Sequence, residues 1–372
     1  MEVLERAYAM ERAGTQVIHL EIGEPDFPAP AAAVEAARRA LASGATRYTD
    51  SRGLPELRAA IAADKTRRTG ASVDPEQVIV TSGTSPALLL VFALLLDPGD
   101  EVIVPSPHYP CYPNFVRFCG GVPVYVPCTA ASGWSVDVGA VRRALTKRTR
   151  AVVVGSPANP TGAVQPREVL AELAGLGVPL VSDEVYDGLV YDGAHATSAL
   201  EVASEGGAYV LDGFSKRYAM TGFRLGYAIV PHEALRTLQI LAQNLFISAA
   251  EFVQHAGLAA LAEGEPTVQA MRGAYARRRD LLVTGLRALG FGVDVAPRGA
   301  FYVLADARRF DADSRRLAAR LLEEAHVAVT PGIDFGAAGE GHLRFCYASS
   351  DDALREALAR MKRVLGNGKL RS

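Results

Sequence analysis

The side chains that could do chemistry stand just after apolar, β-rich runs, where a strand would end. In YVLDGFSKRYAMTGFRLGYAIV (209–230) two such runs flank a turn that holds Ser215 and Lys216, with Asp212-Gly213 ending the first run and Arg224 opening the second. A lysine in that place is ordinarily a solvated charge. After VIVT come Ser82, Gly83, Thr84, Ser85 and Pro86, then a long apolar helix. Hydroxyls and backbone N–H groups at that helix N-terminus would face an anion or simply cap the helix, and no GK[ST] follows to suggest a nucleotide P-loop. SPHYPCY (106–112) puts the Tyr109 ring at another strand end, for stacking or for packing. SPANPTG (156–162) is a turn carrying Asn159, and DEVY (183–186) offers Asp183 as a helix cap or a metal ligand, with Tyr186 beside it. Gly23 lies in the irregular GEPDF loop, Tyr48 in the loop RYTDSRG, and Arg344 in HLRF, where a strand arginine is usually a solubilising charge.

These stretches need a frame. Apolar runs at 78–80, 102–104, 122–126, 151–154, 179–181, 209–211 and 225–230 predict seven strands. Most are nearly continuous in Val, Ile and Leu, the mark of strands covered by helices on both faces, so the expected fold is α/β with a largely parallel seven-stranded sheet and a smaller α+β domain. In open sheets of this kind ligands bind beyond the carboxyl ends of the strands, which is where the residues above fall. Helices are expected at about 30–43, 55–70 and 266–289, and strands at 291–295 and 301–304. The expected division is an N-terminal segment 1–28 belonging to the small domain, a large domain 29–265 and a small C-terminal domain 266–372, in keeping with a chain of 372 residues.

Composition narrows the function. A formal charge of -2 and a hydrophobic fraction of 49% argue against nucleic acid or an anionic membrane as the main partner and leave a small-molecule site as the default. Cys111, Cys119, Cys128 and Cys346 form no CxxC pair and have no histidine spacing suited to zinc, so reduced thiols and no metal are expected. The longest apolar run is too short to span a bilayer and the charged N-terminus is unlike a signal peptide, which predicts a cytoplasmic protein.

Taken together, SKRYAMTGFRLGY, NPTG, DEVY and GEPDF resemble the motifs of the fold type I, pyridoxal-phosphate-dependent class I/II aminotransferases, and the resemblance covers nearly the whole chain. It implies that Lys216 carries the cofactor as a Schiff base and shuttles a proton, that Asp183 holds the pyridine nitrogen, and that Tyr109 stacks on the ring. It further implies that Asn159 and Tyr186 bond the ring oxygen, and that Gly83, Thr84, Ser85, Ser215 and Arg224 hold the phosphate. Arg344, with Gly23 and Asn159, would grip the substrate carboxylate. Tyr48 would reach the phosphate of a neighbouring subunit, making the protein a homodimer with shared sites. One departure stands out: Gly213 occupies a position where many relatives carry a phosphate-binding serine. The implied activity is ping-pong transfer of an amino group from an L-amino acid to a 2-oxo acid, with a neutral or aromatic amino donor. Carbon–sulfur β-elimination on the same fold is the nearest rival. A non-catalytic, cofactor-sensing regulator would need a DNA-binding domain ahead of the GEPDF loop, where only a short segment stands.

Overall fold

The computed structural model describes residues 2–203 and 207–366. Its strands, in chain order, are β1 (Ile18–His19), β2 (Val78–Thr81), β3 (Glu101–Ser106), β4 (Val122–Pro127), β5 (Thr149–Gly155), β6 (Leu180–Asp183), β7 (Ala208–Gly213), β8 (Gly226–Ile229), β9 (Tyr302–Asp306), β10 (Val327–Ala328), β11 (Thr330–Pro331) and β12 (His342–Cys346). The main sheet has seven strands in the order β2-β8-β7-β6-β5-β3-β4. Neighbours from β7 to β4 pair in parallel, whereas β8 is antiparallel to both β7 and β2 and so runs alone against the rest. The seven runs predicted from the sequence are these seven strands.

Alternation along the strands feeds two cores. On one face Ile79, Val102, Val104, Val153, Val181 and Leu211 pack on the helix Thr84–Leu95 through Leu88, Val91 and Phe92. On the other, Val80, Ile103, Val152, Val154, Leu180 and Val210 meet Leu57 and Ile61 of the helix Pro55–Thr69. Both faces being buried is the physical reason that the strands read as continuous apolar runs.

The helix Glu265–Leu289 closes at Gly290, which has φ 102, a left-handed conformation glycine adopts without a steric penalty. It packs on the antiparallel sheet β11-β12-β9 and on the final helix Asp351–Gly366. A two-stranded parallel pair, β1 with β10, ties the N-terminal segment to this part of the molecule. The strand expected at 291–295 does not form. Only Gly292 makes a bridge, to Asp306, because Gly292, Asp294 and Pro297 disfavour a ladder and the carbonyl of Val293 is taken by the Arg287 side chain at 2.7 Å. Arg224 also differs from expectation: it does not open β8 but precedes it, in a left-handed conformation with φ 55.

Candidate active site

A cavity of about 350 Å³ lies at the carboxyl ends of the main strands. Its wall includes Gly23, Thr84, Ser85, Tyr109, Asn159, Asp183, Tyr186, Ser215, Lys216, Arg224 and Arg344, so segments far apart in the chain converge there. Its size is in the range usual for small-molecule sites.

Lys216 lies in a one-turn helix, Phe214–Arg217, that follows β7 directly. Its ammonium donates to the carbonyl of Gly23 at 2.6 Å. Burial pulls its pKa down to about 8, with the positive charges of Arg224 and Arg344 adding to the effect and Cys346 and Glu24 opposing it.

Asp183 ends β6 and is buried. Its carboxylate accepts from the Tyr112 hydroxyl at 2.7 Å and from the Val185 N–H at 3.3 Å, and among the described residues it has no ion-pair partner. Burial pushes its pKa up to about 6, against the pull of those two hydrogen bonds. A buried carboxylate held by neutral donors and facing a cavity is suited to a cation brought from outside.

The anion-binding end is built from backbone geometry. Gly83 has φ 96 and precedes the helix Thr84–Leu95, whose N-terminus has no side-chain cap. A Cβ at Gly83 would stand 2.5 Å from Nη2 of Arg224, so only glycine lets that guanidinium approach the helix start. Arg224 donates from Nη1 to the carbonyl of Thr221 at 2.8 Å. Uncapped N–H groups, the hydroxyls of Thr84, Ser85 and Ser215, and a guanidinium together suit a dianion. At Gly213, an added Cβ would lie 3.1 Å from Thr84 Oγ1, Gly226 Cα and the Leu225 carbonyl. The Thr84 hydroxyl therefore crowds the place that a serine at 213 would need.

Arg344 projects from β12 with its guanidinium 4.4 Å from the Tyr302 ring centre and 5.0 Å from that of Phe335. Nη1 donates to Asn159 Oδ1 at 3.1 Å, and Nη2 donates to Thr330 Oγ1 at 3.1 Å and to the Glu21 carbonyl, while the buried Nε has no acceptor. Because Asn159 accepts through Oδ1, its Nδ2 group is the end left to donate into the cavity. The Tyr186 and Tyr302 hydroxyls share a hydrogen bond of 2.8 Å.

Tyr48 stands apart from the cavity wall and is 81% exposed, on a loop whose Thr49 N–H donates to Ser248 Oγ. Gly83 shapes the cavity through its backbone without lining it. Sequence reasoning placed Tyr112 within a wall segment, 108–112, but gave it no role toward Asp183, and it missed Leu88, Pro157, Val185, Thr221 and Tyr302 as wall residues. Tyr112 had a local signal, its spacing from Tyr109 at the start of the helix Cys111–Phe118, which lets both rings serve one site.

A family model described as aminotransferase class I and II matches residues 15–361. The aspartate/prephenate aminotransferase of Thermus thermophilus is 48% identical over 368 residues, covering 97% of this chain and 94% of that protein. A (5-formylfuran-3-yl)methyl phosphate transaminase of Methanocaldococcus jannaschii is 40% identical over 368 residues, covering 98% and 96%. Among solved structures, aspartate aminotransferase from Thermus thermophilus with maleate superposes with a TM-score of 0.93 at 47% identity, covering 98% of this chain and 95% of that one.

Proposed function

The chain belongs to the class I and II aminotransferase family of fold type I pyridoxal-phosphate enzymes, and on that premise we propose that it transfers the amino group of a neutral or aromatic L-amino acid to a 2-oxo acid. The observation that carries the reading is the pairing, in one cavity, of the depressed Lys216 amine with the buried, cation-free Asp183 carboxylate. The donor set fits pyridoxal phosphate: a dianion cradle at 83–85, Ser215 and Arg224, a carboxylate for a ring cation, and an amine for covalent attachment.

When bound, the cofactor supplies an electron sink for the pair released at the substrate Cα. The protein's own residues do the rest. Asp183, oriented by Tyr112, would hold a protonated ring nitrogen. Asn159 and Tyr186 would donate to the ring oxygen, and Tyr109 would supply an aromatic wall for the ring. Arg344, held by Asn159, Thr330 and the Glu21 carbonyl, would take the substrate carboxylate with its planar guanidinium. Lys216 would be the cofactor's attachment point and the base for the substrate Cα proton, a role suited to an amine with a pKa near 8. Two half-reactions sharing one amine carrier give ping-pong kinetics.

The lysine and arginine residues on the cavity wall are Lys216, Arg224 and Arg344, and the reading already employs all three, which favours a neutral side chain. A second reading, an acidic donor, draws on the activity named for the Thermus relative. It would need a further cation, for which Arg47, exposed beside Tyr48, is the first candidate if the site is completed by a second copy of the chain. The test is a panel of amino donors with 2-oxoglutarate and pyruvate, ranked by kcat/KM. Aspartate outranking leucine, methionine, phenylalanine and alanine by about tenfold or more selects the acidic reading. With a cysteine-type donor added, release of a thiol, ammonia and pyruvate without amine transfer selects β-elimination. Mixing Lys216→Ala with Tyr48→Phe protein and finding altered activity through hybrid dimers supports the shared site.

A further inference from the structure

The helix Pro55–Thr69 buries Leu57, Ile61 and Lys65 along one face, so a lysine occupies a place where the spacing calls for an aliphatic residue. Lys65 is completely buried. An ammonium has three donors, and this one meets three carboxylates: Asp212 at 2.8 Å, Glu184 at 3.0 Å and Asp187 at 3.3 Å.

Two of these carboxylates adjoin the reacting groups. Glu184 follows Asp183 at the end of β6, and its other oxygen is saturated by the Ser182 hydroxyl at 3.0 Å, the Ser198 hydroxyl at 2.9 Å and the Ala199 N–H at 2.8 Å. Asp212 lies in β7, where it accepts from the Tyr227 hydroxyl at 3.0 Å and, through Oδ1, from the N–H of Gly213 at 2.6 Å, the residue from which the Lys216 turn starts. The Lys65 ammonium therefore bolts the end of β6 to the end of β7, neighbours in the sheet, with Arg68 flanking it through an ion pair to Asp187 and a longer one, 3.7 Å, to Asp212.

Stability alone does not call for such a device, because a buried ion network can be replaced by apolar residues of similar volume at little or no cost. What an apolar side chain would not supply is a fixed separation between two strand ends. We propose that Lys65 is a positioning residue that sets the spacing between the Asp183 carboxylate and the Lys216 amine. This rests on the roles given to Asp183 and Lys216 above.

The test compares wild-type holoenzyme with Lys65→Met and with the triple variant Lys65→Met, Glu184→Gln, Asp212→Asn, in which the one remaining carboxylate, Asp187, keeps its ion pair with Arg68. Four quantities are read: the pyridoxal phosphate dissociation constant, the visible absorption of bound cofactor and its pH midpoint, the melting temperature, and kcat and KM for the best donor. A misplacement of about 1 Å is worth about 10²-fold in rate. Lys65→Met is expected to lose turnover on that scale, with donor KM little changed, weaker cofactor binding and a displaced pH midpoint. The triple variant should regain melting temperature without regaining the cofactor signature. The proposal is overturned if Lys65→Met keeps the wild-type absorption, pH midpoint and affinity, if the triple variant recovers function together with stability, or if neither variant folds, which would make the network's role stability alone. Wild-type protein that takes up no cofactor overturns the underlying reading instead.

Discussion

The Lys216 ammonium donates to the carbonyl of Gly23 at 2.6 Å, joining the turn after β7 to the N-terminal GEPDF loop. That bond is the resting contact of the amine, and it involves a loop whose Gly23 lines the cavity. Covalent capture of pyridoxal phosphate requires the neutral amine, so its rate should climb with pH and level off above about 8, well below the pH expected for a free lysine. Stopped-flow absorbance on apoprotein gives the profile. Borohydride reduction and peptide mapping should place the pyridoxyl mass on Lys216, and Lys216→Ala should bind cofactor weakly without turnover; the mass on another lysine ends the assignment.

Asp183→Asn should cost turnover about 10²- to 10³-fold or more, in line with the loss of other electrostatic contacts made in transition states. The apoprotein should respond oppositely. A carboxyl whose folded pKa is raised from 3.8 to about 6 loses folding free energy as pH climbs between those values, a penalty of about 3 kcal/mol that persists at neutral pH. Apo Asp183→Asn should therefore melt higher than apo wild type at pH 8 and show no such advantage at pH 4. Equal melting at pH 8 would mean that the empty site does not strain the carboxylate.

Gly213→Ser introduces the serine that the family resemblance leads one to expect at this position, yet here it should not strengthen cofactor binding. The added Cβ would sit 3.1 Å from Thr84 Oγ1 and from two backbone atoms, and backbone yields little. Weaker or unchanged affinity is expected for the variant, read as the pyridoxal phosphate dissociation constant. A tighter-binding Gly213→Ser protein contradicts the crowding argument.

His19 pairs with Glu21 at 2.7 Å and Glu11 at 3.1 Å, and the Glu21 hydrogen bond, with further help from Glu11, outweighs burial and lifts its pKa to about 9. Because the folded value lies above the unfolded 6.5, the contribution is complete below pH 6.5 and is lost as pH rises through 9. With screening at a part-exposed site it amounts to about 1–2 kcal/mol. Denaturant titrations should find His19→Gln flattening the fall of stability between pH 6.5 and 9; parallel curves for variant and wild type would show that the pair is inert.

The legible part of the site was what strand ends announce. Each apolar run stops at a turn whose residues differ in kind from the run, and so Asp183, Asn159, Lys216 and the 82–86 turn were all readable by position. What escaped depends on contacts between distant segments. Lys65 falls at the apolar spacing of Leu57 and Ile61, and nothing near it in the chain supplies the partners that let a charge stand there; Glu184, Asp187 and Asp212 come from distant segments. Tyr302 belongs to a small sheet strand, and nothing near it in the chain points toward Tyr186. The false strand at 291–295 has apolar residues at the right period, but the helix before it claims the carbonyl it would need.

The reversal of β8 has a consequence for how this chain can change. Because β7 runs into the cavity and β8 runs out of it, Lys216 and Arg224 sit on a single closed excursion, 214–225, anchored at both ends by the β7–β8 ladder that pairs Gly213 with Gly226. The proposed attachment point and the proposed anion contact are thus not independent parts. Any insertion or deletion in the excursion shifts both against the stationary helix start at Thr84, so this segment should resist changes of length, whereas drift in donor preference is open to the walls supplied from elsewhere.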